Sequence, residues 1–212
     1  MLKLFILLFV YTMSLQAGYE SKCRIPCDIW EHLPTLHRYA SECHHITECG
    51  VRGAVSSYAF GSALVKSPGS RMILVDLETN GNVDAFLKQA RAEGVDAVFY
   101  NMSDLDCPLE QTELLFIDTW HVYGHLKREL ERWNPYVTKY IAMHDTEVDK
   151  VYGETIRMRM NAIQQSKDTG IPIEEINRGL QPAIDEFLAA HPEWKIREVY
   201  TNNNGLTILE RV

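Results

Sequence analysis

An apolar strand followed by a glycine turn and the start of a helix is the feature that most constrains this chain. His44 to Cys49 has the character of a buried strand, Gly50 and Gly53 follow it, and small residues from Ala54 lead into a helix. In open α/β sheets such a turn places unpaired helix N–H groups at the carboxyl end of a strand, where nucleotides bind. The sequence therefore predicts an α/β sheet with a ligand site at this turn.

The turn departs from the dinucleotide-binding pattern, which has glycine at three positions, G-x-G-x-x-G. Gly50 and Gly53 fill the second and third positions, but Glu48 occupies the first. A carboxylate there would repel a pyrophosphate and would suit a ligand with a cationic end, such as the ammonium and sulfonium of S-adenosylmethionine. The alternative is a strand-to-helix turn that only needs small residues, and these residues leave both interpretations open.

Strand and helix patterns alternate along the rest of the chain. Leu114 to Ile117 is one of several continuous apolar runs, as strands buried on both faces of a parallel sheet show. Near the end, Lys195 to Tyr200 and Leu206 to Arg211 alternate around Asn204-Gly205, a strong hairpin signal. We therefore expect a Rossmann-like, three-layer α/β sandwich with a mostly parallel seven-stranded sheet and a C-terminal antiparallel hairpin.

The chain shows no internal repeat, and residues 18–212 are predicted to form a single domain. Residues 28–43 are predicted to be an N-terminal helical cap, and residues 147–178 either a lid over the site or an insertion. The formal net charge of −8 argues against a nucleic-acid partner bound through a broad basic face.

The first 17 residues resemble a secretory signal peptide. Met1 to Lys3 is a basic start, Leu4 to Met13 is apolar without charge, and Ser14 to Ala17 is a candidate cleavage region. The alternative is an N-terminal apolar helix that docks on the domain. The pattern predicts an exported or membrane-anchored protein if the leader is real and a cytoplasmic one otherwise, with membrane contact only through residues 1–17.

Several cysteine and glutamate side chains are not expected to take part in the predicted ligand site. Cys49 lies in an apolar strand and is expected to be a small core residue. Cys23 and Cys27 are close enough in sequence to form a disulfide if the protein is exported. Glu129 and Glu131 have basic neighbours on a predicted helix and are expected on its solvated face.

Acidic residues follow the second and third strands. Asp76 ends the second strand, where nucleotide-binding folds place an acid that accepts hydrogen bonds from ribose hydroxyls. Glu78 is the fallback for this role, and a solvated loop acid is the alternative. Asp104 closes a polar cluster after the third strand, which either contacts an adenine ring or forms a turn.

Ionisable residues also follow two later apolar strands. Asp118 and His121 come after one strand, and His144 and Asp145 come after the next. Carboxylates with imidazole suit magnesium, manganese, zinc or iron in different geometries. We expect a divalent-cation site at these two strand ends, with His121 and His144 adjacent to the two aspartates, the alternative being hydrogen-bonded polar ends that shape a pocket.

These motifs resemble the class I S-adenosylmethionine-dependent methyltransferase superfamily, in the branch related to cephalosporin hydroxylases and macrocin-type sugar O-methyltransferases. The resemblance covers roughly residues 28–211. Its motifs are Asp28–Leu36, Ile46–Gly53, Leu115–Tyr123, His144–Thr146, Gly179–Leu188 and Asn203–Thr207.

The resemblance implies an S-adenosylmethionine cofactor. Glu48, Gly50 and Gly53 would line its methionine end, Asp76 would hold the ribose, and Asp104 would lie near the adenine. It also implies a magnesium ion at Asp118, His144 and Asp145, although relatives have a second carboxylate where this chain has His144. That substitution leaves the identity of the metal open.

The chemistry implied is in-line methyl transfer from sulfonium to an oxygen of a small molecule or sugar, in which alignment supplies most of what the protein provides. Asp118 would hold a metal that activates the acceptor hydroxyl. His121 is the candidate general base, because imidazole titrates near neutrality. A non-catalytic or exported binding protein that keeps the fold, and a metal-dependent hydrolase or hydroxylase, remain the alternatives.

Overall fold

Seven strands form one sheet in the computed structural model, which describes residues 14–212. They are β1 His45–Cys49, β2 Arg71–Asp76, β3 Asp96–Asn101, β4 Thr112–Ile117, β5 Val137–His144, β6 Trp194–Tyr200 and β7 Leu206–Arg211. Their spatial order is β3-β2-β1-β4-β5-β7-β6. The pairs among β1 to β5 are parallel, and β7 is antiparallel to both β5 and β6. The predicted sheet with its terminal hairpin is confirmed.

Helices cover both faces of the sheet, which explains the continuous apolar strands. They are α1 Leu15–Lys22, α2 Leu33–Ala40, α3 Val55–Leu64, α4 Gly81–Ala92, α5 Tyr123–Trp133, α6 Glu154–Arg157, α7 Ala162–Thr169, α8 Ile173–Asn177 and α9 Gln181–Ala190. In β4, Phe116 packs with α1 to α4, whereas Leu115 packs with α5 and α9. Because successive side chains of a strand point to opposite faces, both faces contribute to a core. The result is the expected three-layer sandwich.

The N-terminal region docks on the sandwich. Helix α1 begins at the N-cap Ser14, and Leu15 is fully buried against the core of α1 to α4. The candidate cleavage point after Ala17 therefore falls inside a helix, while residues 1–13 of the predicted leader lie outside the described residues. None of the helices in residues 14–212 has the length and apolar character needed to span a lipid bilayer.

The region from residue 28 to residue 43 contains the expected cap in two pieces. A short 3₁₀ helix, Trp30–His32, leads directly into α2, which has Pro34 in its first turn. All five cysteines of the chain lie in the described part and are free thiols. Cys49 is fully buried in the core, as expected, and Cys23 and Cys27 are half-buried.

Residues 147–178 form α6 to α8 and are anchored to the domain at their ends. The amide of Gly179 donates to the carbonyl of Val151 (2.9 Å), and Leu180 donates to that of Asp149 (2.9 Å). A Cβ on Gly179 would lie 2.3 Å from the Asp149 carbonyl oxygen, so only glycine permits this close approach. The function of this segment as a lid stays a prediction.

Candidate active site

The glycine turn after β1 is built around Gly50. Its φ of +86° lies in the left-handed region, and its amide donates to the carbonyl of Val75 at the end of β2 (2.9 Å). A Cβ at this position would lie only 1.9 Å from the carbonyl oxygen of Asp118 at the end of β4. Glycine is therefore required here, because the backbone passes between the carboxyl ends of β2 and β4.

Asp76 holds the residues that follow the turn. Its Oδ2 accepts hydrogen bonds from the amides of Val51 and Arg52, both at 2.8 Å, and its Oδ1 accepts from the amide of Glu78 at 3.0 Å. Arg52 and Ala54 have positive φ values of 44° and 56°, an unusual backbone for non-glycine residues that is found most often at functional sites. Asp76 thus lies at the turn that follows Gly50, and a cofactor site there and the role of Asp76 at a ribose stay predictions.

Gly53 has a weaker steric requirement than Gly50. The nearest atom that a Cβ would meet among the described residues is Val55 Cγ2, at 4.0 Å. The same turn is tied to the cap region by an ion pair between the Arg52 guanidinium and Asp28 Oδ2 (2.6 Å). The turn is therefore held from two sides, by Asp76 and by Asp28.

Glu48 lies on the face of the sheet that packs against α3. Its carboxyl group is fully buried and accepts hydrogen bonds from Ser57 Oγ (2.6 Å) and Ser56 Oγ. Burial raises its pKa to about 8, so at neutral pH the group is predominantly protonated. This placement differs from the expected ionised carboxylate facing a cationic ligand, and contact with a sulfonium stays a prediction.

Asp118, His121, His144 and Asp145 converge at the ends of β4 and β5; we call them the edge cluster. His121 Nε2 is 3.2 Å from Asp118 Oδ1, and His121 Nδ1 is 3.1 Å from Asp145 Oδ2. His144 Nδ1 is 3.4 Å from the same Asp118 oxygen. The structure therefore brings together all four residues that sequence reasoning singled out at these strand ends.

The charges of the edge cluster reinforce one another. Burial alone would lower the pKa of His121, but the hydrogen bond to Asp118 and the surrounding carboxylates outweigh it and raise that pKa to about 9. The two imidazoles in turn hold the pKa of Asp118 far below its usual range, although burial acts in the opposite direction. In the protein without a cation these interactions favour the protonated form of His121 at neutral pH, and its role as the general base stays a prediction.

Two further acids face His121 that the sequence did not reveal. Asp149 Oδ2 and Glu154 Oε2 each lie 3.6 Å from His121 Nδ1. Asp149 is fully buried and is paired with Arg157 at 2.7 Å. Both acids come from the irregular segment after β5, where no periodicity or strand end marks them as part of the site.

The edge cluster has the donor set of a divalent-cation site. His121 Nδ1, His144 Nδ1 and Asp145 Oδ1 are buried and make no hydrogen bond within residues 14–212. Ligand atoms of Asp118, His121 and Asp145 all lie within 4.8 Å of one another, so the closest set contains His121 where the sequence predicts His144. Unpartnered buried nitrogen and oxygen atoms that converge in this way fit a cation with mixed carboxylate and imidazole ligands.

Asp104 turns away from the solvent after β3. Its Oδ1 is 3.2 Å from His125 Nε2 on α5, and the side chain is buried beside Glu129. The expectation that Glu129 lies on a solvated face is wrong, because Glu129 is 1% exposed and accepts a hydrogen bond from Thr119 Oγ1 (2.7 Å). Glu131 is exposed as expected. Contact between Asp104 and an adenine stays a prediction.

Solved methyltransferase structures resemble this architecture over nearly its whole length. An O-methyltransferase from Bacillus cereus in complex with SAH has a TM-score of 0.58 and 13% identity, with 93% of this chain and 90% of that chain covered. The O-methyltransferase TomG from Streptomyces achromogenes, involved in tomaymycin synthesis and in complex with SAM, has a TM-score of 0.58 and 15% identity, with 93% and 89% covered. A methyltransferase from Geobacter sulfurreducens has a TM-score of 0.54 and 12% identity, with 93% and 88% covered.

The match in topology defines the class of fold. No protein-family model matches the sequence, and a search of curated proteins finds no relative. The chain has the class I S-adenosylmethionine-dependent methyltransferase fold, with the strand order and the reversed seventh strand described above. The fold predicted from the sequence resemblance is thereby confirmed.

Proposed function

We propose that this protein is an S-adenosylmethionine-dependent methyltransferase that acts on an oxygen of a small molecule or sugar, with assistance from a divalent cation. One observation carries the proposal. The Gly50 turn packs directly on the backbone of Asp118, whose side chain belongs to the edge cluster, so a cofactor site and a cation site would share one strand end. A methyl donor at the turn would then lie beside groups suited to bind an acceptor oxygen.

The residues of the turn would bind the cofactor. The backbone of residues 50–54 would approach it closely, and Asp76 would accept hydrogen bonds from the ribose while it continues to hold the amides of Val51 and Arg52. Glu48, protonated and buried, would support the turn through Ser56 and Ser57 at the start of α3.

Asp118, His121 and Asp145 would hold the cation, with His144 adjacent. When bound, a divalent cation lowers the pKa of an acceptor hydroxyl and so favours its attack on the methyl group. Asp118 fixes the His121 ring through Nε2 and directs Nδ1 toward Asp145. Asp149 and Glu154 surround the same nitrogen, so this chain keeps negative charge at the point where a cation would need it.

The acceptor would bind against the segment that follows the edge cluster. A cavity of about 330 Å³ lies there, lined by Val148, Val151, Tyr152 and Ile156 together with charged neighbours. Val151 and Tyr152 are 65% and 67% exposed, which is unusual for apolar side chains of this size and favours a ligand-binding surface. The volume suits a small molecule rather than a polymer.

Titration calorimetry tests the cofactor proposal directly. Wild-type protein is titrated with S-adenosylmethionine and with S-adenosylhomocysteine, in the presence and absence of Mg²⁺. We expect both to bind at one site and Asp76→Asn to weaken both by about tenfold or more, a hydrogen bond to a charged group being worth about 1.5–3 kcal/mol. Asp84→Asn, which neutralises an exposed acid on α4, is the matched control and should bind as wild type. Absence of binding by both compounds would overturn the proposal.

A metal-dependent hydrolase or hydroxylase is the second candidate, because the edge cluster alone would serve that chemistry. Such an enzyme would bind the divalent cation and lose it on Asp118→Asn substitution, but would not bind S-adenosylhomocysteine. Calorimetry with cation and nucleoside measured separately therefore distinguishes the two. A non-catalytic binding protein would bind the nucleoside and transfer no methyl group from labelled S-adenosylmethionine.

A further inference from the structure

A second group of ligand-type side chains lies where the segment after β3 meets α5. It consists of Asp104, His125 and Glu129, whose ligand atoms all lie within 4.8 Å of one another; we call it the inner cluster. His125 Nε2 is 3.2 Å from Asp104 Oδ1 and 3.8 Å from Glu129 Oε1. The inner cluster shares no residue with the edge cluster.

Two carboxylate oxygens of the inner cluster are buried without a partner. Asp104 is 7% exposed and Glu129 is 1% exposed. Neither Asp104 Oδ2 nor Glu129 Oε2 has a hydrogen-bond partner in the described part of the chain. A buried carboxylate oxygen without a partner is costly, so the arrangement calls for a proton or a metal ion between the two acids.

The surroundings of Glu129 also indicate that its carboxyl group lacks a balancing partner. Burial, together with the negative charge of Asp104, raises the pKa of Glu129 well above its usual range. Near this carboxyl, Thr119 Oγ1 already donates to Oε1, which leaves Oε2 free to face Asp104. Either a shared proton or a metal ion would satisfy the two acids, and a metal ion would also take as a ligand the imidazole nitrogen that now lies 3.2 Å from Asp104 Oδ1.

We propose that the inner cluster binds a divalent transition-metal ion of the zinc type, separate from the cation of the edge cluster. Two carboxylates and one imidazole are ligands that zinc accepts, and the nitrogen donor disfavours magnesium, which prefers oxygen ligands and retains several waters. The ion would join the segment after β3 to α5.

The site is placed to affect the edge cluster. Thr119, which donates to Glu129, directly follows Asp118 in sequence. A small cavity of about 10 Å³ has Thr119 and Glu129 as well as His121 and His144 among its lining residues, so both clusters border the same space. An ion in the inner cluster would fix Glu129 and with it the polypeptide at the end of β4.

The test uses the full chain carrying Asp118→Asn and Asp145→Asn, which removes the carboxylates of the edge cluster. After chelator treatment this protein is titrated with Zn²⁺, and with Co²⁺ as a spectroscopic probe. We expect one equivalent of Zn²⁺ to bind, Co²⁺ to give visible absorption bands that indicate nitrogen and oxygen ligation, and Zn²⁺ to raise the midpoint of thermal unfolding by about 4 °C or more.

In that background, Glu129→Gln should weaken Zn²⁺ binding at least about 100-fold, whereas Glu131→Gln on the exposed face of the same helix should leave it unchanged. If Glu129→Gln fails to fold, His125→Asn provides the second variant and should abolish the Co²⁺ bands. No uptake of Zn²⁺ by the parent protein, or unchanged affinity in the folded Glu129→Gln or His125→Asn variant, would overturn the proposal and assign a shared proton to Asp104 and Glu129.

Discussion

Charged side chains are arranged differently at the two ends of the parallel strands, which we call the amino edge, where the strands begin, and the carboxyl edge, where they end. At the amino edge, Arg71 binds Glu110 through two hydrogen bonds of 2.8 and 2.7 Å and also pairs with Asp96. Lys139 on β5 likewise pairs with Glu113 on β4 at 2.8 Å. Arg71 and Lys139 thus each have a carboxylate partner, and these groups are partly exposed to solvent.

At the carboxyl edge, the edge cluster contains Asp118, Asp145 and two imidazoles, with Asp149 and Glu154 nearby. Three of its buried polar atoms make no hydrogen bond within residues 14–212. Concentrating buried acids in this way costs stability, whereas the paired amino edge costs little. The difference indicates that the carboxyl edge is built to bind something and the amino edge to join strands.

The sharpest way to break this comparison is to neutralise one acid at each edge. We expect Asp118→Asn to weaken Mn²⁺ binding by at least about 100-fold and to abolish methyl transfer, since losing even an outer partner of a metal ligand costs 10–100-fold. Glu113→Gln at the amino edge should change neither. Calorimetry with the cation and a labelled-methyl assay measure both, and equal losses in the two variants would contradict the distinction.

The glycine turn offers the next largest effect. Gly50→Ala places a Cβ 1.9 Å from the Asp118 carbonyl in a left-handed backbone, so we expect a loss of about 2–3 kcal/mol in the free energy of unfolding. Gly53→Ala, with its nearest atom at 4.0 Å, should lose less than about 1 kcal/mol. Urea denaturation of both variants measures the difference, and similar values would show that the turn is not constrained at Gly50.

Glu48 is expected to make the free energy of unfolding depend on pH. The pKa of Glu48 is raised to about 8 in the folded protein, so the protonated group stabilises the fold. This stabilisation is fully present below the unfolded pKa near 4.5 and is lost as the pH rises through about 8. Glu48→Gln mimics the protonated acid and keeps partners for Ser56 and Ser57. We expect wild type to lose on the order of 2 kcal/mol relative to Glu48→Gln between pH 5 and pH 8. Parallel pH profiles of the two proteins would contradict a protonated Glu48.

The smallest effect belongs to the amino edge. The hydrogen bond from Arg71 lowers the pKa of Glu110 and outweighs partial burial, which would raise that pKa. The contribution of Glu110 to the free energy of unfolding is therefore lost as the pH falls below about 4.5. Since both partners are partly exposed, we expect Glu110→Gln to cost only ~0.5 kcal/mol at neutral pH, and less in high salt. A loss several times larger in urea denaturation would mean that this edge, too, depends on buried charge.

The sequence was most informative where local pattern and tertiary structure agree. The apolar runs of β2 and β4 and the Asn204-Gly205 turn predicted the sheet. A strand buried on both faces gives a continuous apolar run, and a tight hairpin turn favours Asn-Gly, so both can be identified in the sequence. Strand ends also placed Asp118 and Asp145 correctly at one edge. The strand endings work as a guide because parallel strands bring their carboxyl ends together.

The sequence was least informative where the environment of a side chain comes from distant segments. Glu48 looked like a charged ligand-facing acid, yet its burial against α3 favours the neutral form, although the hydrogen bonds from Ser56 and Ser57 act in the opposite direction. Glu129 looked solvated beside its basic neighbours, yet the segment after β3 covers it with Asp104. Neither the packing of that segment nor the resulting pKa shifts has a signature in local periodicity.

The central claim, that the carboxyl edge binds a methyl donor and a cation together, is tested most directly by a crystal structure of the protein grown with S-adenosylhomocysteine and Mn²⁺. We expect the nucleoside against residues 50–54 with its ribose on Asp76, and anomalous scattering from Mn²⁺ between Asp118 and Asp145. Well-ordered crystals in which the turn at Gly50 carries no nucleoside and Asp118 and Asp145 bind no metal would contradict the account.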